Sequence, residues 1–211
     1  MSTKVKQALG SLINQKGSKR IEKEAIMKFY EILSKIADYP RDNYRDFLET
    51  AIIESRNCSK ETTLYLEEFK SYVEDYKIHE LEEIYTRTFD IKGQCCLDLG
   101  YVLFGEDYKR GDFLVNIQKM QKDNGVDTGV ELPDHLTNIL KLLNALGESK
   151  DLVVQKKLIE KIVMPAITKM LQNFPKKCSK NNYYGNVLKA VDSAFKADFV
   201  MDGTILEGAT C

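Results

Sequence analysis

Apolar residues recur along this chain at helical spacing. Leu66, Phe69, Val73 and Tyr76 fall on one face of a helix, as do Leu136, Ile139, Leu140 and Leu143, and again Val187, Val191, Ala194 and Phe195. Near the start, Val5, Leu9, Leu12 and Ile13 form a shorter stripe, and Ile26, Phe29, Tyr30, Leu33 and Ile36 a stronger one. That second stripe stops at Tyr39-Pro40, because proline has no amide to donate and steers its predecessor out of helical angles. Breaks at Asp38–Asn43, Arg56–Lys60, Gly93, Gly105, Gly111, Asn124-Gly125 through Pro133, and Asn173–Asn182 separate the helical stretches. Pro165, inside the apolar stretch Leu158–Leu171, predicts a kink or a helix restart. No alternating run supports a sheet, and only Val200–Leu206 reads as a candidate extended segment. The pattern predicts one all-α domain over residues 1–211, a single-domain bundle of roughly eight to ten helices.

Composition narrows the class. With 43% hydrophobic residues the chain can bury a core, which excludes a disordered profile. The 31 Lys+Arg and 32 Asp+Glu give a formal net charge of -1, which argues against a nucleic-acid partner. The longest apolar runs are a few residues, such as Ala51-Ile52-Ile53, where a membrane span needs about twenty, so no membrane insertion is expected. The start carries basic residues without a signal-peptide apolar stretch, and the expectation is a cytoplasmic protein. Cys58, Cys95, Cys96, Cys178 and Cys211 are odd in number and irregularly spaced, as reduced thiols are.

Charge is distributed unevenly. Residues 1–35 carry eight Lys+Arg against three Asp+Glu, whereas residues 61–90 carry nine acidic against three basic residues. The second stretch predicts either a solvated acidic face or a surface that attracts a basic peptide.

Catalytic signatures are missing. The chain has no G-x-G-x-x-G, no phosphate-binding loop and no nucleophile elbow. His79-Glu80-Leu81-Glu82-Glu83 starts like a zinc-protease helix but puts Glu83 where the second imidazole belongs. Adjacent Cys95-Cys96 lack the C-x-x-C spacing and are expected to pack as small hydrophobes. No enzyme activity, cofactor or metal is expected.

Residues 79–143 carry the most information. Leu81, Ile84, Tyr85 and Thr88 share a helix face that ends at Phe89-Asp90. Leu97, Leu99, Tyr101, Val102, Leu103 and Phe104 form an apolar patch ended by Gly105, and Lys109-Arg110-Gly111 turns the chain into a helix with Phe113, Leu114, Ile117 and Met120. Glu131-Leu132-Pro133-Asp134-His135 then leads into the helix from Leu136, with Asp134 a natural N-cap. Physically, Tyr85, Phe89, Tyr101, Leu103 and Phe104 offer material for an apolar groove, and Glu82, Glu83, Asp90 and Asp134 for its acidic rim.

This stretch resembles the nitrate reductase delta-subunit family, the NarJ-type cofactor-assembly chaperones, within the redox-enzyme maturation group that includes the TorD and DmsD types. The resemblance rests on Tyr85-x-x-x-Phe89-Asp90, Leu97-x-Leu99-x-Tyr101, the Gly105…Arg110-Gly111 turn and Glu131-Leu132-Pro133-Asp134-His135-Leu136, with Leu33…Ala37-Asp38-Tyr39-Pro40 upstream. Gly100 stands where the family often has a small hydroxyl residue, Glu106-Asp107-Tyr108 replaces a shorter turn, and Thr137 replaces a common proline. The resemblance implies a TorD-like fold and a cytoplasmic, non-enzymatic chaperone, present as a monomer or weak homodimer. Its partner would be the apo catalytic subunit of a molybdenum oxidoreductase, bound at its N-terminal twin-arginine leader or remnant and held until the molybdopterin cofactor is inserted. The implied peptide-binding residues are Asp134, His135, Glu131, Pro133, Tyr85, Phe89, Asp90, Tyr101, Phe104, Glu82 and Glu83. The alternative is a helical adaptor that binds a folded partner through the same groove.

Overall fold

Residues 29–90, 93–174 and 183–201 are described in the computed structural model, and all their regular structure is helical apart from one isolated β-bridge. Helix α1 covers residues 29–36. It is followed by α2 (Tyr44–Ser55), α3 (Lys60–Val73), α4 (Ile78–Phe89), the short α5 (Leu99–Phe104), α6 (Tyr108–Asp123), α7 (Leu136–Glu148), α8 (Leu152–Leu158), α9 (Met164–Leu171) and α10 (Tyr184–Met201).

Local sequence explains most boundaries. Ser59 opens α3 by accepting from the amides of Glu61 and Thr62, and Asp107 opens α6 by accepting from Lys109. Glu80 reaches back from the first turn of α4 to take the Lys77 amide at 2.7 Å. Pro165 gives neither a loop nor a sharp break. A π-helical turn, Ile159–Val163, joins α8 to α9, with the Met164 amide bonded to the Ile159 carbonyl. The wider turn absorbs the amide that Pro165 lacks.

Three sequence expectations change. Gly111 lies inside the first turns of α6 and breaks nothing, since α6 already starts at Tyr108. Val200 and Met201 belong to α10 and are not extended, because the helix that starts at Tyr184 meets no breaker before them and continues to Met201; the rest of that segment lies outside the described residues. His135, and not Asp134, occupies the N-cap position of α7. The Val5–Ile13 stripe, Cys178 and Cys211 also lie outside the described residues.

The core centres on α7. Leu136, Ile139, Leu140, Leu142, Leu143 and Leu146 are buried on one face and Thr137, Asn138 and Asn144 on the others, so only Lys141, Ala145 and Glu148 of this helix keep appreciable surface. Around it α10 packs on α3 and α9, α2 packs on α3, and α5 packs on α9 and α6. Rings interlock where α2, α3, α4 and α10 meet: Phe69 contacts Tyr44 and Tyr184, and Tyr184 contacts Tyr85 and Phe89, at centroid distances of 5.2 to 6.4 Å. Most of these contacts are edge-to-face, the geometry aromatic quadrupoles favour. Cys95 is buried and Cys58 partly so, and burial pushes both thiols up to about 12, which keeps them protonated and inert near neutrality. Among the described residues no helix is long and apolar enough to cross a membrane.

Candidate functional site

An isolated β-bridge between Asp98 and His135 ties the Glu131–Leu136 element to the approach to α5. Its two hydrogen bonds run from the Leu99 amide to the Asp134 carbonyl and from the Leu136 amide to the Leu97 carbonyl, each 2.9 Å. The strand-like approach to α5 is thereby clamped against the entry to α7.

Asp134 is fully buried at this clamp. Its Oδ2 accepts from the Gly100 amide at 3.1 Å and from Arg110 Nε at 3.3 Å. Arg110 Nη2 donates to Asp98 Oδ2 at 3.0 Å. The capping of α5 therefore falls to a distant residue and not to its own N-cap. Asp98 precedes α5 but turns its carboxylate to Arg110, while Asp134, distant in sequence, serves the second amide of α5. Burial raises the Asp134 carboxyl above the usual range, and the neighbouring Asp98 adds to the rise, while Arg110 offsets it only in part. Burial alone would lower Arg110, but the Asp134 and Asp98 carboxylates outweigh that and hold it firmly charged.

His135 is 7% exposed, and its Nδ1 lies 2.8 Å from Thr137 Oγ1. Thr137 therefore gives the ring a partner inside its own chain. The expectation that Asp134 stands on a rim needs correction, because a carboxylate with no exposed surface cannot meet a solvent-borne partner unless the site opens. Of the neighbouring residues, Glu131 is exposed and Pro133 partly buried.

The remaining site residues fall into two groups. Tyr85 and Phe89 sit on α4 with ring centroids 5.0 Å apart, and exposed Tyr39 packs its edge on Tyr85 at 5.5 Å. Tyr85 itself is buried and donates to the Ala37 carbonyl at 3.3 Å. Burial drives its hydroxyl well above the ordinary phenol range, and the Asp38, Glu131 and Asp90 carboxylates push the same way. The cleft beside Tyr39, about 310 Å³, is lined by Lys35, Asp38, Arg41, Asn43, Tyr44 and Phe47. Asp90 and Glu83 are exposed and Glu82 is partly buried, with Glu83 paired to Arg87 at 3.4 Å. The second group surrounds α5. Tyr101 is 43% exposed, Phe104 packs against Phe113 at 5.8 Å, and Arg110 lies over the Tyr101 ring, 5.3 Å from its centroid.

Several organising residues give no sequence motif. Asn138 is fully buried on α7, and its Nδ2 lies 3.0 to 3.3 Å from the carbonyls of Thr128, Glu131 and Leu132. Gln121 on α6 donates to the Pro133 carbonyl at 2.8 Å. Together they hold the 125–135 connection on the bundle, satisfying carbonyls that a loop would otherwise present to water. Asn138→Ala should cost about 2 kcal/mol by removing both amide donors from a buried position, read as a lower urea midpoint at unchanged slope. An effect below about 0.5 kcal/mol, the range of an ordinary surface change, would show that the connection holds itself. A buried amide on an apolar helix face was the one available sequence signal, since such groups are kept only when bonded.

No protein-family model matches the chain, and no curated protein matches it. Among solved structures, the chain is similar to a candidate redox enzyme maturation protein from Archaeoglobus fulgidus, at 17% identity and a TM-score of 0.51. The match covers 78% of this chain and 92% of that one, so the two share a fold across most of their length.

Proposed function

We propose that this protein is a cytoplasmic chaperone for the catalytic subunit of a molybdenum oxidoreductase. It binds the subunit's N-terminal leader segment, or a remnant of one, and holds the apoprotein for cofactor insertion without turning over a substrate. The observation that carries this reading is the conjunction of two things. The helical fold is shared with a candidate maturation protein. Within it, the Glu131–Leu136 element of the chaperone-like sequence pattern is clamped to α5, beside the half-exposed Tyr101 and partly buried Phe104.

The chemistry suits a leader, which is basic at one end and apolar in the middle. Arginine is matched by carboxylates that accept its planar fork, and an apolar helix is matched by an aromatic groove. Exposed Glu83, Asp90 and Glu131 supply accessible negative charge, while Tyr39, Tyr101 and Phe104 supply partly exposed rings.

The test is an affinity capture from host cells deprived of molybdenum cofactor, with the captured proteins identified by mass spectrometry. Enrichment of an unfinished molybdoenzyme large subunit over its mature form supports the reading. Equal capture of mature and unfinished subunit, or of a folded protein of another class, overturns it in favour of an adaptor. Replacing Glu82 and Glu83 with glutamine should slow association with the captured client and flatten its dependence on salt. Identical association rates across a salt series would remove the electrostatic part of the proposal.

A further inference from the structure

The Asp98 and Asp134 carboxylates are placed to hold a guanidinium, and the one they hold does not fill their acceptors. Arg110 reaches Asp134 through Nε alone and Asp98 through Nη2 alone, so neither carboxylate receives a two-pronged fork. Asp134 Oδ1 is buried without a hydrogen-bond partner in the structure, while its Oδ2 serves two donors. Two carboxylates face one guanidinium, which leaves an excess of negative charge. The aromatic platform under the cation, Tyr101, is 43% exposed, and Arg110 and Asp98 each keep about one-fifth of their side-chain surface, so this end of the site reaches solvent while Asp134 lies beneath it. Carboxylates plus an aromatic face are the elements that favour arginine over a compact ammonium.

The occupant is carried by an exposed turn. Arg110 lies in the first turn of α6, just past Gly105, whose φ of 64° marks a left-handed turn. Residues 106–109 between them are all exposed, including Tyr108 at 78%. The Arg110 side chain is itself four-fifths covered, with its stem against Gly100 of α5, but the turn that carries it lies at the surface, and it is this turn whose movement would release the side chain.

We propose that Asp98, Asp134 and Tyr101 form an arginine-binding cradle that the chain's own Arg110 occupies in the free protein, and that an arginine side chain of a partner segment displaces it on binding. The identity of that partner as a leader peptide rests on the function proposed above; the cradle does not. With Arg110 withdrawn the site opens, and an incoming arginine would find the unpartnered Asp134 Oδ1 beside Oδ2 to accept its fork, an acceptor that Arg110 leaves unused. Self-occupancy sets a threshold: a segment without arginine finds the site closed, and one with arginine pays for displacing Arg110 before it gains the cradle.

The experiment compares full-length wild type, Arg110→Ala and Arg110→Lys, the lysine variant retaining charge without the fork in case the alanine variant folds poorly. Methylguanidinium should restore most of the thermal midpoint lost in the Arg110 variants and move the Gly100 amide resonance, whereas methylammonium at equal concentration should do neither. A synthetic peptide with adjacent arginines ahead of an apolar segment should bind Arg110→Ala about tenfold tighter than wild type, because the competing occupant is gone. The same peptide with lysines should gain less than about twofold on the same argument.

Absence of rescue by methylguanidinium overturns the cradle. Arginine-peptide binding that is equal or weaker in Arg110→Ala overturns displacement and makes Arg110 a structural strut, with leader binding by wild type left standing. Rescue by methylguanidinium with no peptide binding by either protein keeps the cradle and overturns both displacement and the leader-binding reading.

Discussion

Asp134→Ala is expected to lower stability by about 3 kcal/mol, taking the loss of a buried ion pair together with an orphaned amide. In a protein of this length that corresponds to a fall in Tm of about 6 to 12 °C. The physical content is the junction around Asp134 Oδ2. Without it, the Gly100 amide in the first turn of α5 loses its acceptor in a place water does not reach, and Arg110 keeps only Asp98. Two considerations hold the estimate at the lower end of the range for broken buried pairs. Arg110 is one-fifth exposed and retains a partner, and the burial that raises the Asp134 carboxyl already offsets part of what its charge contributes. A simple surface cap would cost about 1 kcal/mol. Thermal and urea unfolding of the variant separate the two: a loss of 1 kcal/mol or less would mean that the junction relaxes and that the clamp between α5 and α7 is held by the backbone bridge alone.

Gly100→Ala should have the opposite sign from the one helix propensity gives. In a helix, replacing glycine by alanine ordinarily stabilises by roughly 0.5–1 kcal/mol. Here a Cβ at position 100 would fall 2.6 Å from Asp134 Oδ2 and 2.8 Å from a ring carbon of Phe113. Phe113 is only partly buried and can give way, but the carboxylate is pinned by its two donors. The net expectation is a loss of about 2 kcal/mol, the range of overpacked sites. The two substitutions should also be non-additive: in an Asp134→Ala background the clash with the carboxylate is gone, and Gly100→Ala should cost clearly less than it does alone. Additive losses in this cycle, measured by unfolding, would rule out the close approach as the reason for glycine.

The aromatic residues show where one-dimensional reading loses resolution. Tyr85 and Tyr101 look alike in the sequence, each an aromatic beside apolar neighbours. Tyr85 lies within a cluster made by four helices and is buried, whereas Tyr101 sits on a short helix under the Arg110 guanidinium and is nearly half exposed. Which of them can touch a partner depends on what covers them, and the covering residues, Tyr39 and Tyr184, are distant in sequence. Phe89 is intermediate, packed on Tyr184 yet partly open. The acidic residues behave in the same way. Glu83 and Asp90 are at the surface as their setting on α4 implies, but Asp134, from an equally polar-looking stretch, is buried by α5 and α6.

By itself the sequence determined the class of the fold, the positions of most helices and the apolar faces that meet in the core. These follow from the 3.6-residue repeat, caps and breakers, all of which act over a few residues and are therefore visible along the chain. Pro165 was legible as an interruption, but whether the helix ended or widened into a π turn was decided by packing: apolar residues on both sides, buried at Ile159, Val163, Ala166 and Ile167, hold the two halves in line. Only the tertiary structure decided that Asp134 serves α5 in place of its own helix, that Arg110 bridges Asp98 to Asp134, and that Asn138 and Gln121 carry the loop before α7. Each depends on groups brought together from separate elements, where burial raises the cost of an unmade hydrogen bond and so selects one partner among many. That selection acts through space and leaves no period in the sequence.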